Sequence, residues 1–183
     1  MKKIFKFSII FFIFIISLVL IASSVNAESS GSNATEILTL SKGGISINYP
    51  SDWGNSKATS NDSIMAISKL DSIDSAGIGQ VNINFEKRPI EGDFNTFVNS
   101  TYTSMQYDSS YKLISSGEVL FGDKNALEYI YTSHQDNGGE RQHKAIWFEK
   151  GGQAYVILYS APVDQFESNL YVFDYILADI QIT

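Results

Sequence analysis

The chain has 183 residues, 44% of them hydrophobic, no cysteine, and a formal charge of −7. The absence of cysteine excludes disulfides, thiolate metal sites and cysteine nucleophiles. The acidic balance argues against nucleic acid and anionic lipid heads as partners, since both repel a negative surface.

Lys2, Lys3 and Lys6 open the chain, and a greasy run follows from Phe7 to Ala22. Val25 and Ala27 stand at −3 and −1 of a cleavage point between Ala27 and Glu28. A basic start, an apolar stretch and small residues at the cut are the pattern of a secretory signal, here residues 1–27. The run also approaches the length of a membrane span, so an uncleaved N-terminal anchor is the competing reading. The lysines keep the N-terminus cytoplasmic in both cases. The rest is therefore expected to be secreted or extracytoplasmic, and held at the outer face of the cytoplasmic membrane if anchored. Membrane contact is expected only through this segment or through a partner. All 20 acidic residues and ten of the 13 basic ones lie beyond residue 27, so the mature charge is −10. Residues 28–36 are small and polar and read as a flexible leader. Residues 37–183 are expected to form a single domain, which has to be stable through packing alone.

From Ile37 the pattern is β. Ile37, Leu38 and Leu40 precede Gly43-Gly44, and Ile45, Ile47 and Tyr49 follow at period two, which predicts a hairpin ended by Pro50. Trp53 is placed to cover one end of the core. Residues 64–70 predict a third strand and residues 80–88 a fourth. In the fourth, Val81, Ile83 and Phe85 alternate with Asn82, Asn84 and Glu86, which gives one dry and one polar face. Asp93 is a helix N-cap, and Phe94, Phe97, Val98, Tyr102 and Met105 make an amphipathic stripe running to about Tyr107. Residues 111–121 predict a strand with a break at Ser115-Ser116-Gly117, either a bulge or a turn. Residues 126–133 and 144–149 predict a hairpin around Asp136-Asn137-Gly138-Gly139. After Gly151-Gly152, residues 154–160 form the most apolar strand, expected at the sheet centre. Pro162 and Asp164 mark the start of a helix carrying Phe166, Leu170, Phe173, Ile176 and Leu177. Ile180 and Ile182 suggest a short last strand. The expected fold is α+β: a mainly antiparallel sheet of about seven or eight strands flanked by two helices, an α/β/α-type sandwich.

This order of elements resembles the PsbP family, whose best-known members are extrinsic subunits of oxygenic photosystem II. The likeness runs over about residues 37–182. The segment GISINYPSDW, the NALEYIYT strand and the YVILYSAP strand leading into the spaced-Phe helix carry it. The resemblance implies a PsbP-like fold, shared with a eukaryotic Ran-binding nuclear-import factor, and a role played through a partner. These are packing motifs, so they speak to fold before function.

Residues with chemical potential are few. His134 and His143 flank the 135–142 hairpin; depending on which pair makes the turn they face each other or are offset. With Asp136 or Glu140 they are weak candidates for a Zn²⁺ or Cu²⁺ site, against two exposed polar residues near a loop tip. Asp62, Asp71 and Asp74 lie in polar loops of the kind that hold Ca²⁺, without EF-hand spacing. No G-x-S-x-G elbow, P-loop or G-x-G-x-x-G occurs, and no cofactor is expected. Tyr129 and Tyr131 alternate on one strand and are candidate docking aromatics. Asn33, Asn61 and Asn99 head N-x-S/T sequons. The expected function is an exported, non-enzymatic accessory domain docking on a cell-surface or membrane-associated partner. The alternative is a metal-binding protein or metal-dependent enzyme using the 134–143 hairpin.

Overall fold

Alternating side chains in this chain build two sheets where the sequence reads as one. The computed structural model describes residues 35–58, 60–134 and 139–183; the signal, its cleavage point at Ala27 and Glu28, most of the leader and Asn33 lie outside these residues. Strands β1 (Ile37–Lys42) and β2 (Ile45–Pro50) form the expected hairpin, with Gly43 and Gly44 both at positive φ, which a side chain would resist. The short β3 (Trp53–Asn55) then leaves that hairpin and starts the main sheet, followed by β4 (Ser63–Lys69) and β5 (Asn82–Pro89). Next come α1 (Phe94–Met105), β6 (Lys112–Phe121), β7 (Lys124–His134), β8 (Glu140–Lys150) and β9 (Gln153–Pro162). The chain closes with α2 (Val163–Asp179) and the two-residue β10 (Gln181–Ile182), which pairs with β2.

The main sheet has seven strands in the order β3-β4-β5-β9-β8-β7-β6, all pairs antiparallel; the small one is β1-β2-β10. The α+β reading holds, and β9, the most apolar strand, is the middle of the seven. The break expected at Ser115-Ser116-Gly117 is a register shift slightly earlier, between Leu113 and Ser115.

Period two in β9 divides the core. Tyr155, Ile157, Tyr159 and Ala161 face one side, where Ile45, Ile47 and Tyr49 of β2 and Phe166, Val172, Phe173 and Ile176 of α2 close over them. Ala154 and Val156 face the other side, under Val98 and Tyr102 of α1, with Tyr129 and Tyr131 of β7 and Trp147 of β8. The sheet is thus covered by α2 and the small sheet on one face and by α1 on the other. Each helix has a local reason to start. Asp93 Oδ1 accepts the Thr96 N–H at 2.8 Å, capping α1. Pro162, held at φ −52°, precedes α2, and Asp164 sits in its first turn where the helix dipole favours an acid. Tyr159 Oη donates to the Phe166 carbonyl at 2.8 Å and seats α2 on the central strand.

Candidate docking surface and polar groove

Among the described residues strand β6 is the open margin of the main sheet. It hydrogen-bonds there to β7 alone, and eight of its ten residues are exposed, all but Val119 and Phe121. Helix α1 packs over β7, β8 and β9, and α2 over β8, β9 and β2, so neither helix covers β6. Three of its apolar side chains stand in water, Leu113, Ile114 and Leu120, with Ile114 52% exposed and Leu120 76%. A ten-residue edge carrying one lysine, one glutamate and no proline lacks most of the devices that blunt an edge against pairing. The register shift near Ile114 is the single such device. Beside the C-terminal half of β6 lies an open hollow of about 450 Å³, lined by Asp93, Glu118 and Glu149 against Lys124 alone among basic residues, with Phe94 and Leu127 as its apolar part.

A second feature lies on the α1 face. Three turns of helix cannot cover seven strands, and the β4–β5 side of that face stays open as a groove of about 200 Å³. The polar half of β5 lines it. Glu86, 4% exposed, accepts from Asn84 Nδ2 at 2.7 Å and from the Arg88 guanidinium at 2.6 Å; Arg88 in turn reaches Asp62 at 3.2 Å. Across the groove, His143 of β8 lies between two serines, with Nδ1 2.7 Å from Ser160 Oγ and Nε2 2.9 Å from Ser133 Oγ. Tyr131 stacks on the imidazole at 4.6 Å. Burial, and then the Arg141 charge, push His143 down to about 3, so the ring is neutral at pH 7. One ring nitrogen then donates and the other accepts, which both hydroxyls can satisfy. Arg141, 5% exposed, donates through Nη1 to Gln80 Oε1 at 3.1 Å and through Nη2 to the Gln80 carbonyl.

The other residues singled out by sequence fall apart or inward. Register pairs His134 with Glu140 and His143 with Tyr131, an odd offset that sends the two imidazoles to opposite faces of the sheet. The hairpin tip itself, Asp136 included, lies outside the described residues. Among the described residues no three His, Asp or Glu side chains gather as a metal would need. Asp71 pairs with Lys69 at 3.2 Å, Asp62 with Arg88, and Asp74 accepts from the Ala76 and Ile78 amides, so these carboxylates serve separate local bonds. The expectation that Tyr129 and Tyr131 present aromatic surface is corrected: they are 8% and 6% exposed, because α1 lies on them and Tyr102 stacks on Tyr129 at 3.6 Å. The exposed tyrosines are Tyr107, Tyr171 and Tyr175 instead. Asn61 is exposed in the turn before β4; Asn99 is on α1, where its Oδ1 accepts the Tyr129 hydroxyl at 2.7 Å. The β6 edge and the groove were both missed, although the polar alternation of β5 signalled the groove's wall.

The sequence model of the family described as PsbP-like protein matches residues 16–181. A search of curated proteins finds no match. Among solved structures, the cyanobacterial PsbP (CyanoP) of Synechocystis sp. PCC 6803 superposes with a TM-score of 0.59 at 15% identity, over 84% of this chain and 96% of that one. LpqN of Mycobacterium tuberculosis, involved in cell envelope biogenesis, gives 0.56 at 15% identity, over 82% and 92%. The Ran-binding protein Mog1p of Saccharomyces cerevisiae gives 0.52 at 9% identity, over 81% and 96%. At these identities the likenesses establish the fold.

Proposed function

The chain belongs to the PsbP-like protein family, and on that premise we propose that it is an exported, non-enzymatic accessory domain that docks on a protein partner through the β6 edge. The observation that carries this reading is the edge itself: ten residues of backbone whose outer donors and acceptors have, among the described residues, no strand beyond them. An extended partner segment adds there as an eighth strand, with main-chain bonds giving affinity and side-chain contacts giving selectivity. Ile114 and Leu120 supply apolar contact, and the Asp93–Glu118–Glu149 hollow beside them takes a basic side chain of that segment. A mature charge of −10 speeds encounter with a cationic partner. Mog1p, which shares the fold, is a Ran-binding protein, and LpqN is involved in cell envelope biogenesis. The first agrees with a role played through a partner, and the second with a place at the envelope. The signal-like pattern of residues 1–27 supports a place outside the cytoplasmic membrane.

The test is affinity capture from envelope fractions of the producing cell, with the wild-type chain beside Ile114→Lys and Leu120→Lys. Both sites are on the surface, so the variants keep the wild-type far-UV spectrum. The proposal expects one partner held by the wild type, released by salt and lost from both variants. Equal capture by all three chains refutes it.

A further inference from the structure

We propose that the groove on the α1 face is a binding site for a short aliphatic monocarboxylate, with Arg141 as its anchor. Arg141 is 5% exposed and, among the described residues, no carboxylate pairs with it; its acceptors are the neutral side chain and carbonyl of Gln80. A buried cation without a counter-ion is costly, and two bonds to Gln80 leave three of the five guanidinium N–H groups unassigned. Lys57 lines the same opening. The groove's one buried acid, Glu86, is already neutralised by Arg88, which itself also holds Asp62. His143 is neutral and adds no charge. The Arg141 end of the groove is thus positive in a domain whose mature charge is −10.

The size and walls narrow the ligand. About 200 Å³ is room for roughly seven waters at ~30 Å³ each. Ile78 and Leu158 give an apolar wall, while Asn82 and Ser160 offer an amide and a hydroxyl near the charged end. A planar guanidinium fork matches a carboxylate with two parallel bonds. A dianion such as phosphate gains the same fork but enters against the domain's negative field. The site lies on the sheet face and does not involve the β6 edge, so it stands or falls apart from partner docking.

The experiment is an NMR titration of the full chain with sodium butyrate at constant ionic strength, with sodium phosphate and sodium chloride as controls. It follows the Arg141 Nε–H and His143 ring resonances. Butyrate is expected to shift both saturably, phosphate roughly tenfold more weakly, and chloride not at all. Arg141→Lys, which keeps the charge but loses the fork, is expected to weaken butyrate roughly tenfold while the spectrum stays folded. If that variant does not fold, Leu158→Trp, which fills the groove and leaves Arg141 in place, is expected to abolish the shifts. No saturable shift with butyrate, equal shifts with chloride, tighter phosphate binding, or unchanged affinity in the folded variant overturns the proposal.

Discussion

Trp147 Nε1 donates to Tyr102 Oη at 2.8 Å, and this bond pins α1 to the middle of the main sheet. It is the polar pair inside an otherwise aromatic cluster: Tyr102 stacks on Tyr129 and meets Trp147 edge-on at 6.3 Å. Burial, chiefly, drives the Tyr102 hydroxyl far above its ordinary range, so it stays a neutral acceptor at any pH the protein meets. Tyr102→Phe keeps the ring and strands the indole N–H in a dry site. The expected cost is about 1–3 kcal/mol in urea denaturation, with helix content unchanged. A cost near zero would mean that the indole finds another acceptor.

His143 gives stability a pH dependence of definite sign. Its pKa falls from 6.5 to about 3 on folding. Between those values the unfolded chain binds a proton that the folded chain refuses. The contribution is complete above pH 6.5 and is lost as pH falls through that window. The urea midpoint is expected to drop between pH 7 and pH 5, with a slope from this group of at most about 1.4 kcal/mol per pH unit. Asp93 and Asp108, lowered from 3.8 by hydrogen bonds from Thr96 and Ser110, act only at more acid pH. In His143→Gln the pH 7-to-5 drop is expected to shrink, whatever the variant's absolute stability. An identical drop in both proteins would assign it to other groups.

Gly79 sits where β4 meets the loop before β5, and a Cβ there would lie 2.1 Å from Ser68 Cβ. Ser68 is fully buried and bonded to Ser56 Oγ at 2.7 Å, so it has little room to give. Gly79→Ala is expected to cost about 1–3 kcal/mol by overpacking. Gly79 lines the groove beside Gln80 and Asn82, so the same change should shift their side-chain signals in an NMR spectrum. A variant as stable as wild type would show that the loop moves aside freely.

Much of the fold was legible because local signals and tertiary packing agree. Asp93 caps the helix it was expected to cap, Gly43-Gly44 and Gly151-Gly152 turn where period-two runs meet, and residues 154–160 lie at the sheet centre. The split into two sheets was not legible: β3, which leaves the hairpin for the main sheet, has three residues, too few for any period to appear, and only pairing shows that the short last strand suggested by Ile180 and Ile182 joins β2. The histidine geometry depended on a loop register, and a shift of one residue moves a side chain to the other face. The groove was hidden for a similar reason. Glu86 lies on the polar face of its strand and Arg141 in the stretch read as the 135–142 hairpin, and neither position signals the 4% and 5% exposure that the structure shows. The reading of Tyr129 and Tyr131 as docking aromatics failed in the same direction, since nothing local says that α1 lies over them.

The docking role rests on β6 being the strand that a partner meets. The most direct measurement places a photo-cross-linking amino acid at Leu120, 76% exposed on that strand, in the full chain made by its own cell. A second chain carries it at Leu70, 50% exposed, beyond β4 at the opposite side of the same sheet. Illumination of intact cells is expected to give one discrete adduct from position 120, none from position 70, and none from position 120 once Ile114→Lys is added. Adducts of equal yield from both positions, or an adduct at 120 that survives Ile114→Lys, would contradict the account.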